Sequence, residues 1–265
     1  MHTDPKEKSR QRLLPGLSVK DGFTRHPFDI ANSVRTSGLI AGRHLTSGHA
    51  HDRHATAYYG VAPSVFHALL KRWQRTKPAA ALEDFTFLDV GAGMGRAMLL
   101  AAELPFREVV GIELHPTLAG IARKNLTLWR KAGKARTRAR LICGDAVEFA
   151  LPPGPCLAFL FNPFGAPVMR KLLAQWVLAV RAEVLAAPAS GHEKILDLLY
   201  VNNEQERVLE QQKGFSRLFL GQIPRSRADA IADHTILANQ PDGEYASSNT
   251  EDCSIYRWVG LEQSQ

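Results

Sequence analysis

The segment Phe87-Leu88-Asp89-Val90-Gly91-Ala92-Gly93-Met94-Gly95-Arg96 constrains this chain more than any other. An apolar run ending in an acid and three alternate glycines describes a buried strand turning sharply into a helix. Glycines there take positive φ and let the backbone approach a ligand with no Cβ in the way, and the first free N–H groups of the helix attract a negative group. A Gly-x-Gly-x-x-Gly dinucleotide turn would need its third glycine at position 96. That position is Arg96, and the third glycine is Gly95. Asp89, two residues ahead of Gly91, is placed to face a ligand ammonium while the helix start faces a carboxylate.

Three further apolar runs follow. Arg107-Glu108-Val109-Val110-Gly111-Ile112-Glu113 is β-branched and ends in an acid, the position at which doubly wound folds hydrogen-bond ribose hydroxyls. Arg140-Leu141-Ile142-Cys143-Gly144-Asp145 ends in a carboxylate that either accepts from an adenine amino group or caps the next helix. Leu157-Ala158-Phe159-Leu160-Phe161 runs into Asn162-Pro163-Phe164-Gly165. With these motifs in order, the chain resembles the class I S-adenosylmethionine-dependent methyltransferases over about residues 56 to 260. The resemblance implies S-adenosylmethionine as cofactor, held by Asp89, Gly91, Gly93, Gly95, Glu113 and Asp145. It also implies an α/β fold: a doubly wound, mainly parallel seven-stranded sheet with a C-terminal antiparallel hairpin.

Asn162-Pro163-Phe164 is similar to the Asn-Pro-Pro-aromatic motif of amino-group methyltransferases, with one proline fewer. That likeness assigns Asn162 to the methyl end of the cofactor and to the nucleophilic nitrogen, and Phe164 to the wall against which a planar acceptor packs. Read without it, Asn-Pro is a turn start after a strand. Upstream, Tyr58-Tyr59-Gly60-Val61-Ala62-Pro63-Ser64 looks like the entry segment of non-SET protein-lysine methyltransferases and their bacterial relatives, which makes Tyr59 a cover for the methionine end of the cofactor. Tyr59 as a packed loop aromatic is the other reading.

Periodicity organises the rest. Ser64 is a candidate cap for a helix with Val65, Phe66, Leu69, Leu70 and Trp73 on one side. After Pro163, Val168, Leu172, Trp176, Val180 and Val184 recur every four residues, beside a ridge of Met169, Leu173 and Val177. A fifth strand over 194–201, a short polar helix, a sixth strand over 215–220 and an alternating run over 253–259 complete the expected sheet. Residues 1–55 form a basic, partly disordered extension and cover loop, and 56–265 the methyltransferase domain.

At 265 residues and 45% hydrophobic side chains, the chain can bury one large α/β core. Lys6, Lys8, Arg10, Arg12 and Lys20 occur without a signal-type apolar run, and Cys143, Cys156 and Cys253 cannot complete a disulfide framework, so a cytoplasmic protein with reduced thiols is expected. Net charge is +7, and Arg123, Lys124, Arg130, Lys131, Lys134, Arg136, Arg138 and Arg140 fall within one acid-free stretch. It is either a steering patch for an acidic macromolecule, protein or RNA, or a solvated face. His44, His49, His51 and His54 with Asp52 match no zinc spacing and are read as a polar substrate-covering loop, with no metal. The expected activity is methyl transfer to the nitrogen of an amine or amide, protein lysine foremost and RNA or a small amine next; a non-catalytic cofactor-binding regulator is the alternative.

Overall fold

Parallel pairing dominates the sheet because the connections between strands are helices that cross over and cover both faces. The computed structural model describes residues 24–186, 195–239 and 247–260, and side chains in all of these but 184–186. The basic residues from Lys6 to Lys20, and Lys194 at the expected start of the fifth strand, lie outside them. The strands are β1 (Thr86–Val90), β2 (Glu108–Glu113), β3 (Ala139–Cys143), β4 (Cys156–Phe161), β5 (Leu196–Val201), β6 (Phe215–Pro224) and β7 (Thr250–Trp258). They are ordered β3-β2-β1-β4-β5-β7-β6. The first five are parallel, and β7 runs antiparallel between β5 and β6. Strands six and seven pair as expected, with a helix between them in sequence rather than a tight turn.

The helices are α1 (Pro27–Asn32), α2 (Pro63–Arg75), α3 (Arg96–Ala102), α4 (Pro116–Lys131), α5 (Ala166–Ala186), α6 (Glu206–Glu210) and α7 (Arg227–Ala238). Alternation along each strand sends its side chains to two cores. Phe87, Val109, Phe159 and Leu199 meet Phe66, Leu69 and Trp73 of α2 and Leu99 of α3 on one face. Leu88, Val110, Leu160 and Leu198 meet Leu172, Trp176 and Val180 of α5 on the other. All five residues of β1 are buried, Asp89 among them.

Ser64 does not cap α2. The helix starts with Pro63 at its first position, Ala62 precedes it, and the orphan Ser64 amide donates to Asp229 Oδ2 of α7 at 2.8 Å. A tertiary carboxylate does what a local side chain was expected to do, and the Ser64 hydroxyl instead accepts the Ser226 amide at 2.9 Å. Helix α7 and α1 carried no clear periodic signal.

Residues 24–61 fold over the carboxyl ends of β1 and β4, and one buried cation ties several of their segments together. Arg96 is 3% exposed. Its Nε donates to Thr36 Oγ1 at 2.7 Å, and its other nitrogens to the carbonyls of Gly60 at 3.0 Å and Thr36 at 3.1 Å. Asp29, wholly buried, accepts from the amides and hydroxyls of Thr36 and Ser37 at 2.5–2.7 Å and lies 4.0 Å from the Arg96 guanidinium. A buried charge without such partners would cost several kcal/mol, of the order of 3–5 when one member is removed. The residue that departs from the dinucleotide pattern thus fastens the cover to the turn.

Candidate functional site

A cleft enclosing about 990 Å³ out to its open mouth lies at the carboxyl ends of β1, β2 and β4, where doubly wound sheets take their ligands. Asp89, Gly91, Gly93, Glu113, Asp145, Phe164 and Tyr59 line it. Gly91 and Gly93 need to be glycine twice over. Their φ values are 72° and 55°, and a Cβ would fall 2.5 Å from Pro163 Cβ at the first and 2.2 Å from the Tyr58 ring at the second. Gly95, φ 86°, does not line the cleft; it opens α3 and packs on Ala122.

Two buried carboxylates face this cleft. Glu113 accepts from the Gly93 amide on Oε2 at 2.7 Å and from the His115 amide on Oε1 at 2.8 Å. Burial pushes its pKa up, against the pull of those amides. Each oxygen keeps a lone pair for a hydroxyl, and the same contacts tie the glycine turn to β2. Asp89 has no hydrogen-bond partner among the described residues. Burial first, and the Glu113 charge second, push its pKa up to about 8. A cleft that holds two buried acids with no lysine facing them is poised for a cation. Arg96 lines the same cleft, so opposite charges are offered to a zwitterion.

Asp145 is partly engaged. Its Oδ1 accepts from the Val147 amide at 3.0 Å, capping the turn Ala146–Glu148, and its Oδ2 lies 2.9 Å from His51 Nδ1 and 3.9 Å from His49 Nε2. The capping and ligand-facing readings therefore both describe this side chain. His49, His51 and Asp145 come within metal-ligand reach of one another, a grouping the sequence spacing hid because Asp145 belongs to another element. Lys171 Nζ sits 3.1 Å from the other ring nitrogen of His51, Nε2. Asp52 instead accepts three backbone amides of residues 47–49 and shapes their turn.

A second cleft, about 1470 Å³ out to its mouth, meets the first along Ala55, Thr56, Ala57, Tyr59 and Phe161. Asn162 lines this second cleft and not the first. It is 5% exposed with φ 39°, and its neighbour across the β4–β5 pairing carries the same strain, Asn202 at φ 49°. Left-handed backbone at two adjacent strand ends is tolerated by asparagine and characteristic of ligand sites. Asn162 Oδ1 accepts weakly from Tyr200 Oη at 3.3 Å, and its carbonyl accepts from the Thr56 hydroxyl. Phe164 bridges to Ala55 and faces the first cleft, whereas Phe161 is the aromatic shared by both. Tyr59 also walls both clefts. Its hydroxyl donates to Asp233 Oδ1 at 2.5 Å, and burial together with that carboxylate drives its pKa up. Tyr58, not singled out by the sequence, is the ring against Gly93, its hydroxyl donating to the Thr36 carbonyl at 2.7 Å.

No protein-family model matches the chain. Over 49 residues, 18% of this chain, it is 53% identical to the release factor glutamine methyltransferase of Vibrio cholerae, and the match spans 17% of that protein. Over 73 residues, 28% of this chain, it is 41% identical to the protein-L-isoaspartate O-methyltransferase of Thermococcus onnurineus, spanning 31% of it. The chain thus covers less than a third of either curated relative. Among solved structures, the precorrin-6y C5,15-methyltransferase of Geobacter metallireducens is 15% identical, with a TM-score of 0.44 over 74% of this chain and 86% of that one. The strand order, with β7 reversed between β5 and β6 and the glycine turn closing β1, decides the family of folds. This chain has the class I methyltransferase fold. Among the described residues, no helix is long and apolar enough to cross a membrane.

One consequence concerns Glu113. On the sequence-based expectation that Glu113 accepts from two ribose hydroxyls, replacing it with alanine is expected to weaken cofactor binding by about 2–4 kcal/mol. Because two backbone amides would lose their acceptor as well, Glu113→Ala also costs the empty protein about 1–3 kcal/mol. Titration calorimetry alongside denaturation reads both, and an unaltered affinity would put the ribose elsewhere.

Proposed function

We propose that this protein is an S-adenosylmethionine-dependent methyltransferase that methylates a nitrogen, of an amine or an amide, presented through the second cleft. The observation that carries this reading is the meeting of the two clefts at Phe161 and the Asn162-Pro163 turn, so that a cofactor in one and an acceptor in the other share a wall. The cofactor supplies an electrophilic methyl on a sulfonium that is a good leaving group. What remains for the chain is to align the nucleophile, exclude water and receive a proton.

Each part has residues suited to it. Asp89 takes the ammonium of the cofactor, Arg96 and the glycine turn its carboxylate, Glu113 the ribose, and the Asp145 end the adenine, with Tyr58 and Tyr59 as cover. Asn162 Oδ1 orients the attacking nitrogen, exchanging the long Tyr200 contact for the acceptor's N–H. Glu204, Glu251 and Asp252 give the second cleft one carboxylate more than Arg43 and Arg225 offset, which favours a basic acceptor such as a lysine side chain. The Vibrio cholerae relative, named for glutamine, supports the amide form of the proposal, and the Thermococcus onnurineus relative, named for an O-methyl transfer, stands against nitrogen. A binding-only regulator is favoured by one observation, that Thr56 and Tyr200 already occupy the acceptor oxygens of Asn162.

Labelled-methyl transfer to lysate fractions separated into protein, RNA and small molecules tests turnover and acceptor together. Once an acceptor is in hand, Asn162→Ala is expected to keep cofactor affinity within a few fold and lower kcat by about a hundredfold, the mark of a contact made in the transition state. Full turnover in that variant would leave Asn162 a turn residue. Label in no fraction, with the cofactor bound, would select the regulator.

A further inference from the structure

The expected basic stretch does not scatter over the surface. Arg123, Arg130, Arg136, Arg138 and Arg140 line one groove of about 1230 Å³ out to its mouth, between α4 and the outer edge of β3. Arg123 and Arg130 are two turns apart on one side of α4, about 10 Å by helical rise. Thr137 is buried, its hydroxyl donating to the carbonyls of Leu104 and Phe106 at 2.7 and 2.9 Å, so Arg136 and Arg138 on either side of it turn outward.

Charge here is uncompensated. Glu108 pairs with Arg140 at 2.9 Å, and among the described residues no acid or other side chain pairs with Arg123, Arg130, Arg136 or Arg138. The groove floor includes Trp129, 1% exposed, whose indole N–H has no acceptor among the described residues. Two ordinary explanations cover only part of this. Arg130 and Lys131 suit the negative end of α4, and charge on an edge strand deters sheet-to-sheet pairing. Neither accounts for arginines of a helix, a loop and a strand converging on one concavity.

We infer that this groove is a nucleic-acid backbone site, which takes the phosphates of a single RNA strand. Guanidinium forks match phosphate oxygens in pairs, and a strand offers phosphates in a regular row. An acidic protein partner is less favoured because protein interfaces combine arginine with exposed aromatic anchors, and the one aromatic lining this groove is buried. The site lies beside β3 and away from both clefts, and the inference does not depend on methyl transfer.

The test is fluorescence anisotropy of the full chain with a labelled twelve-nucleotide oligouridylate, over a series of salt concentrations, against Arg136→Gln/Arg138→Gln. Two lost phosphate contacts are expected to flatten the log–log salt slope by about 1.4 and to weaken binding at low salt by at least tenfold, with thermal unfolding unchanged. Because the basic residues before position 24 can also attract RNA, the difference between the two proteins is the readout. Equal affinity and slope overturn the inference, as does absence of binding by wild type. So does competition by polyglutamate at the same charge concentration as effective as that by unlabelled oligouridylate, which would assign the groove to an acidic protein.

Discussion

Asp89→Asn is expected to stabilise the ligand-free protein above pH 8 while weakening S-adenosylmethionine binding at least tenfold. The side chain is buried, meets no donor among the described residues, and is held at a pKa of about 8 by burial and by Glu113. An unfolded aspartate titrates near 3.9. Since the folded pKa is the higher one, the folded state prefers the protonated form, and stability from this group is full below about pH 4 and declines as pH rises through 8. Four pKa units correspond to at most about 5 kcal/mol. Asparagine has no charge to bury, but its amide meets no acceptor, at a cost of about 1–3 kcal/mol. The net gain expected at pH 8.5 is therefore about 2–4 kcal/mol, shrinking or reversing at pH 5.5. Denaturant unfolding at the two pH values checks it, and a difference that does not change with pH would refute the assignment.

The same residue sets the pH dependence of binding. A cofactor ammonium beside Asp89 favours the carboxylate and lowers its pKa, so binding at pH 7 releases a proton and affinity climbs until pH reaches about 8. Calorimetry in buffers of different ionisation enthalpy measures that proton directly. No proton release would mean that the ammonium lies away from Asp89.

The second large effect is expected at Arg96. Arg96→Met fills much of the same volume but leaves the hydroxyl of Thr36 and the carbonyls of Thr36 and Gly60 without their donor, and Asp29 without the nearest cation. Removing one member of a buried charged network costs about 3–5 kcal/mol. Loss should be concentrated in the cover, so amide hydrogen exchange of residues 26–61 accelerates before that of β1 and β4, and cofactor affinity falls because Tyr58 and Gly60 leave the cleft wall. Arg96→Lys is not expected to restore it, since one ammonium cannot reach acceptors that a guanidinium fork spans. Normal exchange protection of the cover in Arg96→Met would show that the extension is held by its own packing.

Much was legible in the sequence because the signals were local. The glycine spacing, the acids at the ends of the first three strands and the four-residue recurrence through α5 each belong to one element, and each element is fixed by burial of its own apolar face. The mainly parallel pairing followed from the alternation of strands and helices, because crossover connections lay helices on both faces of the sheet. Tertiary structure alone decided which partner each polar group took. Asp229 replaced Ser64 as the cap of α2, Arg96 became the clasp of the cover, and His51 reached Asp145 because distant segments met there. Asn202 joined Asn162 through strand register, which brings Phe161 opposite Val201. Periodicity reports which side of an element is buried; the direction of a hydrogen bond between elements depends on packing distances that no spacing along the chain encodes.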